Sequence, residues 1–240
     1  MKLDEFVINH QINLSDKIIS ACEMGVDIMR HSVFPLYDER HVFGIISNLD
    51  HFLREQKEIN KEEINFNVLL LSICWHDVWK TRKFPLNYLS FAFFYLHEGM
   101  GSMDMFSQLA EVVGLDKDLV RATKYAIRKH PGFQILPRKT LEAKLLKDLD
   151  GLEEWSFKRL EPLRQDYMFL GVMNIKLVRL VKFYFDRFMV NDPASAFYFQ
   201  WTRAEFKKRK IGFIKEANKT FAEFSYLFPK KKKKKKKRNK

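Results

Sequence analysis

Residues 69–80 read LLLSICWHDVWK, an apolar run of helical length that ends in a histidine, an aspartate and, three positions later, a lysine. Adjacent residues of a helix point about 100° apart, so His76 and Asp77 do not share one narrow stripe. They can still hold a single metal ion from either side where the helix end faces a cavity, and Lys80 lies one turn beyond His76. Burying charged groups in an apolar run is costly unless they are paired or bound to a cation. The stretch is therefore the first candidate for a functional site.

The composition of this 240-residue chain indicates a globular, helical protein, with 46% hydrophobic residues, 30% charged residues, 9 Gly and 7 Pro. Cys22 and Cys74 lie in predicted helices without paired spacing, which disfavours disulfides and favours a reducing compartment. Residues 1–6 lack the apolar segment of a secretory signal. No run approaches about 18 apolar residues. We therefore expect a cytoplasmic protein without a membrane span.

The positive charge is concentrated at one end of the chain. The formal net charge is +13, and ten positive charges lie in residues 230–240, which leaves +3 for the rest. Self-repulsion predicts that this Lys230–Lys240 tail is disordered. It could contact nucleic acid or an anionic surface through counterion release. The alternative is a solubilising extension without a ligand.

Apolar residues recur three and four positions apart through most of the chain, which predicts helices. Cap residues at Ser15, Asp38, Asp116 and Thr140 mark several helix starts, and Gly114 marks a helix end. Predicted helices cover residues 15–31, 38–52, 66–78, 88–113, 116–130, 140–151, 157–168, 174–189 and 193–228, the last capped by Asp192. A break at residues 99–101 is left open. No alternating strand pattern or repeat is present, so the predicted fold class is all-α.

Side chains that can bind metal lie at or near the ends of different predicted helices. Imidazole nitrogens mixed with carboxylate oxygens suit Mn, Fe, Co, Ni or Zn, and carboxylate-rich sites also take Mg. The candidate ligands are His41, His76, Asp77, His97, His130, Asp148 and Asp150. The alternative is a core polar cluster that the backbone satisfies without a metal.

The order of these residues resembles the H…HD…D signature of the HD-domain superfamily of metal-dependent phosphohydrolases. Residues 75–80, WHDVWK, are similar to the "HDxxK" segment of that family. Residues 97–115, which begin HEG, are similar to its "HE" helix, and residues 126–130, AIRKH, resemble its "aI..H" segment. The resemblance covers roughly residues 36–155. It implies an HD-domain-like helical bundle with additional C-terminal helices.

The resemblance also implies roles for particular residues. His41, His76 and Asp77 match the metal ligands, and Asp150 fits the last ligand better than Asp148, its alternate. His97 and His130 match the extra histidines of members with two metals. The implied cofactor is one or two divalent ions. The candidate catalytic residues are Asp77, Lys80, as a phosphate contact, and Glu98, as a base or an orienting group.

Four segments follow from these patterns. Residues 1–35 form an N-terminal helix packed on the bundle, and residues 36–155 form the HD-type core. Residues 156–228 form a helical extension of the same domain, and residues 229–240 form the polybasic tail.

Three functions are consistent with the sequence. The first is hydrolysis of a small phosphomonoester or phosphodiester, such as a nucleotide, by metal-activated water. The second is a di-iron oxygenase, because some superfamily members with a six-group set of His and Asp use two irons and dioxygen. The third is a nucleic-acid-binding protein with a vestigial site. Substrate and oligomeric state stay open.

Overall fold

The computed structural model describes residues 1–33, 35–81, 88–132, 137–160, 182–183, 185–191 and 194–223. The described residues are helical and contain no strand, which confirms the all-α prediction. The α-helices are α1 (Leu3–Asn9), α2 (Asp16–Arg30), α3 (Glu39–Glu55), α4 (Phe66–Trp75), α5 (Tyr88–Val113), α6 (Lys117–Lys129), α7 (Leu141–Glu153) and α8 (Gln200–Glu223). Short 3-10 segments are Pro35–Tyr37, Lys61–Glu63, Val78–Thr81, Phe157–Leu160 and Ala194–Ala196, and Phe185–Met189 is a π turn.

Helix α4 lies at the centre of the fold. Every residue from Val68 to Trp75 is buried. A helix that is apolar on all sides must be enclosed by other elements, and α2, α3, α5, α6 and α7 all contact α4. This arrangement brings the ends of several helices to the C-terminal end of α4, where His76 follows.

Most predicted helix starts and ends coincide with local hydrogen bonds. The Asp38 carboxylate accepts from the Arg40 N–H, the Asp116 carboxylate accepts from the N–H groups of Asp118 and Leu119, and the Thr140 hydroxyl accepts from the Ala143 N–H. Gly114 ends α5 with φ of +66°, the left-handed region that favours glycine.

Gly99 and Gly101, where the sequence did not decide whether the helix is interrupted, lie inside the continuous helix α5. A Cβ at Gly99 would lie 2.9 Å from the carbonyl oxygen of Arg128, and a Cβ at Gly101 would overlap the indole of Trp79. These glycines therefore permit close packing rather than a turn. Helix α4 is shorter than predicted, because the chain tightens into the 3-10 turn Val78–Thr81 after Trp75.

The C-terminal part of the chain differs more from the prediction. Helix α8 begins at Gln200 and not near residue 193, and residues 194–196 form a separate 3-10 turn. Distant side chains cap the first turn of α8, since Asp148 accepts from the N–H groups of Tyr198 and Phe199. Glu58 accepts from the N–H groups of residues 200 and 201.

Several sequence predictions fall on residues that the structure describes only in part. Of the predicted helices 157–168 and 174–189, the structure describes a 3-10 turn at Phe157–Leu160, residues 182–183 and the π turn at Phe185–Met189. Asp192, its neighbour at position 193 and the Lys230–Lys240 tail lie outside the described residues.

Two hydrophobic cores hold the described helices together. The larger core joins side chains of α1 and α2 to those of α3, α4 and α7, so the N-terminal helices pack into the same core as the central helix. The smaller core packs α8 against the end of α7 around Trp155, Phe197 and Phe206. None of the described helices is both long enough and apolar enough to cross a membrane.

We expect Gly25→Ala to destabilise the contact between α2 and α4. An added Cβ would lie 2.7 Å from the Cys74 carbonyl oxygen and 2.8 Å from Trp75 Nε1, which donates to the Ala21 carbonyl. Overpacking of this kind costs about 1–3 kcal/mol, more than the roughly 1 kcal/mol that Ala gains over Gly in a helix. Thermal unfolding measures the loss. Gly132→Ala is the matched control, because nothing lies within 4 Å of its added Cβ. A Tm for Gly25→Ala at or above that of wild type would contradict the packing argument.

Candidate metal centre

His76 and Asp77 lie where the buried helix α4 ends. Their side chains are 0% and 1% exposed. The His76 N–H still donates to the Ser72 carbonyl, and the chain then turns into the segment Val78–Thr81. An apolar helix thus carries an imidazole and a carboxylate into the interior, where they need polar or ionic partners.

Four side chains from three parts of the chain meet at this point. His41 comes from the first turn of α3, His76 and Asp77 from the end of α4, and Asp150 from α7. One ligand atom of each lies within 4.8 Å of the others. His41 Nε2 is 3.1 Å from His76 Nε2, 3.4 Å from Asp77 Oδ2 and 3.4 Å from Asp150 Oδ1. We call these four residues the His–Asp group. Two imidazoles with two carboxylates form a donor set for a divalent transition metal.

The imidazole rings are held so that Nε2 faces the group. The Nδ1–H of His76 donates to the Ile73 carbonyl at 2.8 Å, and the Nδ1–H of His41 donates to the Glu153 carboxylate at 2.6 Å. Since those oxygens accept, a neutral ring carries a lone pair on Nε2. Two lone pairs 3.1 Å apart repel each other unless a cation or a proton lies between them. The residues therefore fit a bound metal ion.

A second group of ligand atoms shares Asp77. Asp77, Glu98 on α5 and His130 at the end of α6 have ligand atoms within 4.8 Å of one another. His130 Nε2 is 3.3 Å from Asp77 Oδ1 and 3.9 Å from Glu98 Oε1, while its Nδ1–H donates to the Ile127 carbonyl at 2.7 Å. Lys80 enters this group and pairs with both carboxylates. We call it the Glu98 group.

The two acids of the Glu98 group are held in different states. Burial alone would raise the pKa of Asp77, but the Lys80 ammonium and the neighbouring imidazoles hold it well below its usual range. Burial raises the pKa of Glu98 to about 7, although Lys80 acts in the opposite direction. Asp77 therefore keeps its negative charge, whereas Glu98 binds a proton more readily.

The remaining candidate ligands lie outside both groups. The His97 ring, which is partly exposed, stacks on Phe93 and donates from Nδ1 to the Phe93 carbonyl at 3.0 Å. Asp148 points to the start of α8, where Oδ2 also accepts from the Thr202 hydroxyl at 2.7 Å. Residues two apart on a helix point about 160° apart, so Asp148 and Asp150 serve different sides of α7. The full six-group set expected for an oxygenase is not assembled by the described residues.

The protein encloses the Lys80 side chain. This side chain is 6% exposed, and its ammonium contacts carboxylates of this chain instead of facing solvent. In this conformation the Lys80 ammonium balances the buried negative charge of the carboxylates that it contacts. Its predicted phosphate contact stays a prediction.

Two supporting residues were not identified from the sequence. Glu153, three positions after Asp150, lies on the same side of α7 and orients His41. This spacing is a signal that could have revealed it. Arg138 donates to the carbonyl groups of residues 129, 130 and 131 and so fixes the end of α6 that carries His130. No local pattern marks Arg138.

We expect Glu153→Gln to weaken metal binding without unfolding the chain. A neutral amide supports the His41 imidazole less well than a carboxylate, and loss of such a partner typically lowers metal affinity about 10–100-fold. Titration calorimetry with Mn²⁺ measures the change. Glu111→Gln, at an exposed position of α5, is the matched control. Equal Mn²⁺ affinity for the two variants would show that Glu153 does not orient a metal ligand.

Comparisons of this chain with protein-family models, with curated proteins and with solved structures gave no match. The assignment of function therefore depends on the residues and their geometry.

Proposed function

We propose that this chain is a metal-dependent phosphohydrolase that acts on a small phosphomonoester or phosphodiester, such as a nucleotide. The observation that carries the proposal is the His–Asp group, whose four ligand atoms converge within 4.8 Å from three separate parts of the chain. The order of the residues, and their resemblance to the H…HD…D signature, support phosphoester chemistry at this centre.

The chain's own residues would hold one divalent ion through His41, His76, Asp77 and Asp150. Such an ion would lower the pKa of coordinated water and would neutralise the charge that develops on phosphoryl oxygens. Glu153 and the Ile73 carbonyl hold the two imidazoles in the required orientation. The low-polarity surroundings strengthen these electrostatic interactions.

Access to the centre is easiest beside Asp150. Its side chain is 16% exposed, whereas those of His41, His76 and Asp77 are 2% exposed or less. A cavity of about 690 Å³ is lined by His41, Glu153, Lys158 and Arg209, and Asp150 does not line it. We infer that substrate and water approach the His–Asp group past Asp150.

The test is an assay of the full chain, stripped with chelator and reloaded with Mn, Mg, Co, Fe, Ni or Zn. Substrates are nucleoside mono-, di- and triphosphates, cyclic nucleotides, p-nitrophenyl phosphate and its bis ester. We expect phosphoester cleavage that requires added metal, and a rate at least about 100-fold lower for His76→Ala, which removes a ligand. His31→Ala, with a side chain 73% exposed, is the matched control and is expected to behave as wild type.

Two results would contradict the proposal. One is a metal-loaded chain that cleaves no phosphoester in the panel. The other is stoichiometric iron with oxygen-dependent turnover, which would favour the oxygenase alternative.

A further inference from the structure

The Glu98 group has the composition of a second cation site. Asp77, Glu98 and His130 are all at least 95% buried. The Nε2 atom of His130 points toward the two acids without forming a hydrogen bond in the described part of the chain. Two carboxylates and an imidazole lone pair in such surroundings require positive charge.

The ammonium of Lys80 already supplies that charge. Its Nζ lies 2.9 Å from Asp77 Oδ1, 3.1 Å from Asp77 Oδ2 and 2.7 Å from Glu98 Oε2. On another side it lies over the Tyr37 ring, 4.2 Å from the ring centroid. The backbone fixes the position of Lys80, because the Lys80 N–H donates to the Asp77 carbonyl within the turn that follows α4.

We propose that the Lys80 ammonium takes the place of a second metal ion, so that this centre binds one divalent cation and not two. The inference rests on the proposed metal centre at the His–Asp group. Asp77 then has two partners: Oδ2 faces the metal ligands of that group, and both of its oxygens contact Lys80. A second divalent ion would have to share Asp77 with the ammonium, and like charges at such distances repel strongly in a buried site.

Removal of the ammonium should open the second subsite. In Lys80→Met the side chain stays unbranched, becomes one atom shorter and loses its charge, which leaves Asp77, Glu98 and His130 without a cation. We therefore expect Mn²⁺ stoichiometry to rise from one ion per chain in wild type to two in Lys80→Met. Adding His130→Ala to that variant should return the count to one.

The experiment is equilibrium dialysis of the full chain against Mn²⁺, with elemental analysis and electron paramagnetic resonance. Two ions in adjacent subsites give a spin-coupled spectrum, which distinguishes them from an ion bound elsewhere on the surface. Lys117→Met, at an exposed position of α6, is the matched control and should bind one ion. Should Lys80→Met not fold, Lys80→Gln replaces it.

Each outcome decides between distinct conclusions. One ion in wild type and two coupled ions in Lys80→Met support the inference. Two coupled ions in wild type, or one ion in the folded Lys80 variant, overturn it and leave the proposed metal centre in place. Absence of bound Mn²⁺ in wild type overturns the metal centre itself, and the inference with it.

Discussion

Asp77→Asn is expected to abolish cation binding and to lower phosphoester cleavage by about 1,000-fold or more, the scale associated with loss of a metal's charge stabilisation. We expect this to be the largest effect of any single substitution at the centre. Asp77 is the one residue that both ligand groups share. The substitution preserves shape but removes the negative charge that pairs with Lys80 and faces His41 and His130.

The measurement combines metal content after gel filtration with initial rates on the best substrate of the panel. Asp118→Asn is the matched control, since that carboxylate is 81% exposed and pairs with Arg121 on the surface of α6. Circular dichroism checks that the variant is folded. A folded Asp77→Asn protein that retains metal and activity would remove Asp77 from the centre.

The members of the His–Asp group were among the candidate ligands for two reasons. His76 and Asp77 end an apolar run, and the order of His41, His76, Asp77 and Asp150 resembles the H…HD…D signature. Helical periodicity and cap residues depend on nearby sequence, so the bounds of α2, α3, α6 and α7 were largely predictable. The convergence itself needed the tertiary fold, because it depends on how α3, α4 and α7 pack.

The choice between neighbouring candidates could not be made from residue type. His97 and Glu98 are adjacent on α5 and point about 100° apart, so only one faces the interior. Histidine was the more natural metal ligand, yet Glu98 is buried beside Asp77 and His130, and His97 stacks on Phe93. Which side of α5 packs inward is set by its contacts with α6 and with the Val78–Thr81 turn.

Asp148 and Asp150 lie two residues apart on α7, and we expect their substitution to have opposite consequences. Asp148→Ala removes a buried carboxylate that accepts from two N–H groups and the Thr202 hydroxyl at the start of α8. Hydrogen bonds to charged groups and loss of a helix cap together suggest a cost of about 2–4 kcal/mol. For a chain of this size the Tm should fall by roughly 5–15 °C.

Asp150→Asn should instead lose the metal, while the apo chain loses less stability than it does in Asp148→Ala. Its carboxylate faces His41 and His76 at 3.4 and 3.6 Å, whereas Asp148 makes the contacts with the start of α8. Burial would raise the pKa of Asp150, but the facing imidazoles of His41 and His76 hold it well below its usual range. The site therefore selects the charged form, which is the form that binds a cation.

Thermal unfolding with and without Mn²⁺ separates the two roles in one experiment. Asp148→Ala should begin from a lower Tm and still gain stability on addition of Mn²⁺, because ligand binding to the native state adds stability by mass action. Asp150→Asn should begin at a higher Tm than Asp148→Ala and gain little. If Mn²⁺ raised the Tm of both variants equally, the assignment of Asp148 to helix anchoring and of Asp150 to metal binding would be wrong. A response lost in Asp148→Ala alone would make Asp148, the alternate ligand, the functional one.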